Sequence, residues 1–138
     1  MRVLIVDDEP IVRESMSELL PWKEMGFETV LCARDAYDAQ KELELERIDV
    51  LISDIEMPGM DGLALSKWVH ERFPRTVILL LTCHASFSYA QSAIRYGVMD
   101  YLLKPVIKTD LEQCVQKAIR LIQEENVRKR AKRKEQQG

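Results

Sequence analysis

Val50-Leu51-Ile52-Ser53-Asp54-Ile55-Glu56-Met57-Pro58-Gly59-Met60-Asp61-Gly62 is the stretch around which the rest of the chain is organised. The apolar, branched run from Ile48 to Ile52 is broken only by Asp49 and is too short for an ordinary helix. Such a run reads as a strand buried on both faces of a parallel sheet. The strand ends in an acid, Asp54. Met57-Pro58-Gly59 and Asp61-Gly62 follow at once, and Pro/Gly punctuation of this density forces the backbone to turn. Asp54 is therefore expected at the carboxyl end of a central strand, facing the crevice where open α/β sheets bind ligands. Taken alone, the stretch leaves a second reading open, in which Asp54 only caps the helix that follows.

Composition narrows the class. The 138 residues, 46% hydrophobic and 31% charged, suit one globular domain with a real core and a short appendage. A net charge of -3 hides an asymmetry: from Asn126 to Gly138 six Lys or Arg face one Glu, whereas the preceding residues hold 14 basic and 22 acidic groups. An acidic body is a poor nucleic-acid binder on its own, because contact with a polyanion has to neutralise phosphates. Cys32, Cys83 and Cys114 are odd in number and widely spaced, which suggests neither a disulfide framework nor a zinc site. The amino terminus reaches Asp7-Asp8 after four apolar residues, too few for a signal peptide, and nowhere do 18 apolar residues run together. The expectation is a soluble cytoplasmic protein that neither spans a membrane nor is exported.

In chain order, Val3 to Val6 reads as a second buried strand, again terminated by acid in Asp7-Asp8-Glu9. Pro10 suits a first helical turn, and Val12, Met16, Leu19 and Leu20 recur at helical spacing until Pro21. Trp22 to Phe27 reads as a loop and Thr29 to Cys32 as a short strand. Ala36, Ala39 and Leu43 form the inner stripe of a second helix. Leu63 to Val69 predicts a third helix capped by Asp61, and Thr76 to Thr82 a further buried strand ending in a hydroxyl. Ala90, Ala93 and Ile94 mark a fourth helix with Gly97 at its end. Tyr101 to Leu103 is a last short strand running into Lys104-Pro105, and Leu111, Cys114, Val115, Ala118, Ile119 and Ile122 give a final amphipathic helix. This alternation implies a doubly wound, five-stranded parallel sheet between helical layers, a flavodoxin-like three-layer sandwich.

The strand exits carry the chemistry. A doubly wound sheet brings all its carboxyl edges to one side, so Asp7-Asp8, Asp54, Thr82 and Lys104 would share one crevice. Carboxylates that close repel unless a cation joins them, and an acid-rich, all-oxygen site suits Mg²⁺ or Mn²⁺. A nucleophilic carboxylate, a divalent ion, a lysine and a hydroxyl are together what phosphoryl transfer to an aspartate needs.

Asp7-Asp8-Glu9, the Asp54 to Gly62 segment, Thr82 and Lys104-Pro105, in this order over residues 1–122, resemble the receiver domain of bacterial two-component response regulators. The resemblance implies that Asp54 accepts a phosphoryl group from a sensor histidine kinase, in a self-catalysed signalling switch rather than a conventional enzyme. It implies that Asp7, Asp8, Asp54 and the backbone carbonyl of Glu56 bind Mg²⁺, that Thr82 and Lys104 contact the phosphoryl oxygens, and that the bond to Pro105 is cis. Tyr101 matches the family's switch aromatic. The surface of the fourth helix, fifth strand and fifth helix would then pair with a second copy of the chain once Asp54 is phosphorylated.

Residues 123–138 read as a basic helical linker leading to an effector domain absent from this chain. Leu20-Pro21-Trp22 with Gly26-Phe27, and Asp100 to Val106, are similar to receivers joined to AraC-type DNA-binding domains. DNA binding and transcription regulation would lie in that missing part. A stand-alone receiver acting as phosphorelay shuttle or adaptor is the alternative. A haloacid-dehalogenase-like phosphatase fits less well, because its D-x-D-x-[TV] motif would here fall on Asp54, Glu56 and Pro58. Cys83 stands where the family often carries a small residue, a departure that either narrows access to the phosphate or has no consequence. His70 and His84 read as surface residues, and Trp22 and Trp68 as packing.

Overall fold

Successive side chains of a strand face opposite ways, so a strand without polar alternation needs a covered surface on both sides. A computed structural model describes residues 1–137 and shows how this chain provides that cover. The strands are β1 (Arg2–Val6), β2 (Thr29–Ala33), β3 (Val50–Asp54), β4 (Val77–Thr82) and β5 (Asp100–Leu103). They alternate with α1 (Pro10–Leu19), α2 (Ala36–Leu45), α3 (Gly62–Arg72), α4 (Phe87–Arg95) and α5 (Lys108–Gln137). All strand pairs are parallel, in the order β2-β1-β3-β4-β5. Leu4, Val6, Leu51, Ile78 and Leu80 meet α2, α3 and α4 through Ala36, Ala39, Leu43, Leu65, Val69 and Ala93. Val3, Ile5, Val50, Ile52, Leu79 and Leu81 meet Met16, Leu20, Leu111, Val115 and Ala118 on the other side, under α1 and α5. This is the expected flavodoxin-like sandwich.

Local chemistry sets the element ends. Pro10 opens α1, and the Asp61 carboxylate accepts the Ala64 N–H at 2.8 Å to cap α3. The loop after Phe27's partner Trp22 is a packed one: both rings are buried edge to face, and the Trp22 indole donates to the Met16 carbonyl at 3.2 Å. Of the residues that mark α4, Ala93 is buried against the sheet, whereas Ile94 is 80% exposed, as is Phe87. A helix turns 100° per residue, so with Ala93 against the sheet its neighbour points outward. The final helix runs unbroken past Ile122 to Gln137, with residues 123–135 exposed apart from half-buried Lys129.

Gly62 ties the loop after β3 to the strand it leaves. Its N–H bonds the Ile55 carbonyl at 2.9 Å, and a Cβ at this position would stand 2.2 Å from the Asp54 carbonyl oxygen. No methyl fits there without moving backbone. Gly62→Ala is therefore expected to lower the stability by about 1–3 kcal/mol, the usual cost of overpacking, read from the urea midpoint. An unchanged midpoint would contradict this close approach.

Candidate functional site

Backbone hydrogen bonds extend the sheet past its last paired residues and so aim the side chains beyond them. Asp7 N–H bonds the Ala33 carbonyl at 3.2 Å, Ile55 N–H the Leu81 carbonyl at 2.8 Å, and Lys104 N–H the Thr82 carbonyl at 2.8 Å. Asp7 and Asp54 are thereby held inside the crevice at 1% and 4% exposure, with Asp8 exposed at its rim. Lys104 enters from the far edge strand, its peptide bond to Pro105 cis. Its Nζ lies 2.9 Å from Asp7 Oδ2 and 3.0 Å from Asp54 Oδ2. The remaining Asp7 oxygen accepts the Glu9 N–H at 2.9 Å, and Arg13 donates to the Asp7 carbonyl at 2.7 Å.

These contacts set the charges. Burial is the main influence on Asp54 and pushes its carboxyl up to about 6; the Lys104 ammonium opposes this, while Asp7 and Glu56 reinforce it. Burial would lower Lys104, but Asp7 and Asp54 outweigh it and hold the ammonium above its ordinary range. Burial likewise pushes Glu56 up, yet the Thr82 hydroxyl, nearby backbone N–H groups and the adjoining Asp54 carboxyl together bring it below the usual carboxylate range.

Asp7, Asp8 and Asp54 each offer a carboxylate oxygen, all within 4.8 Å of one another, and together could hold a metal ion. A further observation fits a cation there: Asp54 Oδ1 is buried without any hydrogen-bond partner. An orphaned carboxylate oxygen is costly to bury, and a hard divalent ion satisfies it with oxygen donors alone. The Glu56 carbonyl accepts no hydrogen bond among the described residues.

Of the residues singled out in the sequence, Asp7, Asp8, Asp54, Thr82 and Lys104 meet at this edge of the sheet. Tyr101 does not join them; it is half-buried and packs against the apolar cluster under α2, α3 and α4. Cys83 and His84 are exposed on the loop after β4. Two features escaped the sequence reading. The Glu56 side chain, and not only its backbone, enters the site by accepting a hydrogen bond from the Thr82 hydroxyl, and the His84 backbone N–H donates to that same hydroxyl at 3.0 Å. The first had a signal in the spacing, since residues two apart on extended backbone point the same way. The second had none.

The model of the response regulator receiver domain matches residues 3–116. The chain belongs to the response regulator receiver family. This receiver is 41% identical to the receiver domain of AraT, a response regulator from Geobacillus stearothermophilus, with a TM-score of 0.81 over 91% of this chain and 97% of that one. A two-component transcriptional regulator AraC from Clostridium phytofermentans has a similar structure, with 25% identity and a TM-score of 0.83 over 90% and 96% of the two chains. Among curated relatives, the uncharacterized transcriptional regulatory protein YesN of Bacillus subtilis is 30% identical over 94% of this receiver. The transcriptional regulatory protein HptR of Staphylococcus aureus is 32% identical over 90%. The receiver spans only 35% of YesN and 48% of HptR. The family supports phosphorylation-dependent signalling in a two-component system. No helix among the described residues is long and apolar enough to cross a membrane.

The raised Asp54 carboxyl has a consequence for stability. Asp54 holds its proton more tightly folded, near 6, than at its ordinary value of 3.8, so it costs stability as pH rises between those values and no more above them. In EDTA, wild type should therefore lose about 2 kcal/mol relative to Asp54→Asn between pH 4 and pH 7, measured by chemical denaturation. A constant difference across that range would contradict the burial of an ionising carboxylate here.

Proposed function

We propose that the chain is the phosphoacceptor switch of a bacterial response regulator, with Asp54 receiving a phosphoryl group from the phosphohistidine of a sensor histidine kinase. The observation that carries this reading is the Lys104 ammonium at 2.9 and 3.0 Å from Asp7 and Asp54, beside a set of carboxylates with one oxygen left over. A further positive charge would balance that arrangement, and the ionised Asp54 carboxylate beside Lys104 suits attack on a phosphorus electrophile.

An Asp54 carboxylate oxygen bonds to phosphorus as the phosphorus–nitrogen bond of the donor breaks, and the donor imidazole keeps the electron pair. With its carboxyl pushed up to about 6, Asp54 is ionised at neutral pH and still close to the pH at which it works. Lys104 pairs with the non-bridging oxygens, and the Thr82 hydroxyl donates to one of them. Asp7, Asp8, Asp54 and the Glu56 carbonyl would hold Mg²⁺ or Mn²⁺, which when bound neutralises the developing charge on the phosphoryl group.

Tyr101 moves inward as Thr82 shifts toward the phosphate, in this reading, and changes the surface of α4, β5 and α5. Phe87, Ile94, Leu103 and Ile107 already stand exposed there, which supports a second copy of the chain as the partner. Residues 1–122 would be the switch and 123–138 a basic linker, a division supported by the exposure of residues 123–135. The printed names of YesN, HptR and the Clostridium regulator support transcription as the output, through a DNA-binding domain outside this chain. A cytoplasmic location follows from the kinase donor.

Acetyl phosphate with Mg²⁺ should label wild type once, and borohydride trapping followed by mass spectrometry should place the label on Asp54. Asp54→Ala should take up none. Equal labelling of the two proteins would refute the assignment.

A further inference from the structure

Thr82 is fully buried at the end of β4, and its hydroxyl is already committed. It accepts from the His84 N–H at 3.0 Å and donates to Glu56 Oε1, with the His84 carbonyl a longer second acceptor at 3.3 Å. A hydroxyl has one proton to give. The proton that would serve a phosphoryl oxygen on Asp54 is therefore the one that Glu56 now holds, and the two hydrogen bonds exclude each other. On the Glu56 side the commitment is as strong. Its other oxygen, Oε2, is buried without a partner, and Thr82 is the only side chain that donates to Glu56 among the described residues.

We propose that the Glu56 carboxylate is a latch: it positions Thr82 in the unphosphorylated arrangement and has to release the hydroxyl before Thr82 can engage a phosphoryl group on Asp54. This rests on the phosphoacceptor reading above. Hydrogen bonds to a charged acceptor are about twice as strong as neutral ones, so a carboxylate holds the hydroxyl firmly. A phosphoryl group nevertheless competes well. It brings close to two negative charges and three acceptor oxygens to a site two residues from Glu56, so it repels the carboxylate while offering the hydroxyl a better acceptor. Release of the latch and capture of Thr82 are then one event, and Glu56 sets how much of the switching free energy is spent on opening. Glu56 is a positioning residue here, acting through Thr82 and not on phosphorus.

A double-mutant cycle with beryllofluoride as the phosphoryl analogue, in the presence of Mg²⁺, separates this from a simple charge effect. Glu56→Leu removes the acceptor, and Thr82→Val removes the hydroxyl at nearly constant volume. With Thr82 present, Glu56→Leu should tighten beryllofluoride binding about tenfold, or 1.4 kcal/mol; in the Thr82→Val background the gain should fall to threefold or less. A gain of equal size in both backgrounds, or none in either, would overturn the latch. A second readout needs neither metal nor ligand. In EDTA, the three-bond couplings of the Thr82 methyl should report one χ1 rotamer in wild type and in Glu56→Gln, which keeps an acceptor oxygen, and averaged rotamers in Glu56→Leu. A single unchanged rotamer in Glu56→Leu would also overturn it. Failure of wild type to bind beryllofluoride, together with no labelling of Asp54, would instead overturn the phosphoacceptor reading on which the latch rests.

Discussion

One ammonium group holds this site together. Lys104 Nζ stands between the buried carboxylates of Asp7 and Asp54, and without it two like charges would sit side by side out of water. Two buried carboxylates facing one cation leave a net negative charge, and that remainder is what makes the crevice a receptor for further positive charge. The contact is long-range in sequence, Asp7 and Lys104 being 97 positions apart. It forms only if β1, β3, β4 and β5 are parallel and in the observed register, because a one-residue slip on any of them would turn its terminal side chain to the other face. The sheet and the site are therefore a single construction, in which the apolar core supplies the stability that the buried acids remove.

The same burial shapes reactivity. A fully hydrated aspartate is a weak base, and a fully buried one would stay protonated and inert. Asp54 lies between these limits, with its carboxyl near 6 through burial opposed by Lys104. Thr82 and Glu56 add a second layer, since the Thr82 hydroxyl is engaged by the Glu56 carboxylate two residues beyond Asp54. On the proposed phosphoacceptor reading, the crevice thus holds both the reacting group and the means of registering that it has reacted.

Much of this was legible in the amino-acid sequence, for definite physical reasons. Runs such as Val3 to Val6 and Val77 to Leu81 have no polar alternation because both faces are covered, and that alone reveals a parallel sheet with helices on each side. Acids at the ends of such runs had to converge once the strands were parallel. Ala36, Ala39 and Leu43 were readable as an inner stripe because the opposite face of α2 is charged. Less regular features were not readable. The apolar residues of α4 share one side of the helix, and periodicity could not tell which of them the sheet covers, Ala93 facing inward and Ile94 and Phe87 outward. The spacing of Glu56 from Asp54 carried a signal that its side chain turns toward the site, but the His84 N–H to Thr82 contact is made by backbone, which has no sequence signature. By contrast, the continuation of α5 past Ile122 was legible, because residues 123–137 are mostly good helix formers and include no glycine or proline.

The central claim is that Asp7, Asp8 and Asp54 gather a divalent ion at the carboxyl edge of the sheet, next to Lys104. Titration with Mn²⁺, followed by paramagnetic broadening of backbone amide signals, tests it most directly because the effect falls steeply with distance from the ion. Broadening should begin at the amides of residues 7–9, 54–57 and 82–84 and be reversed by excess Mg²⁺. Broadening centred elsewhere, or spread evenly over the acidic surface, would contradict the account.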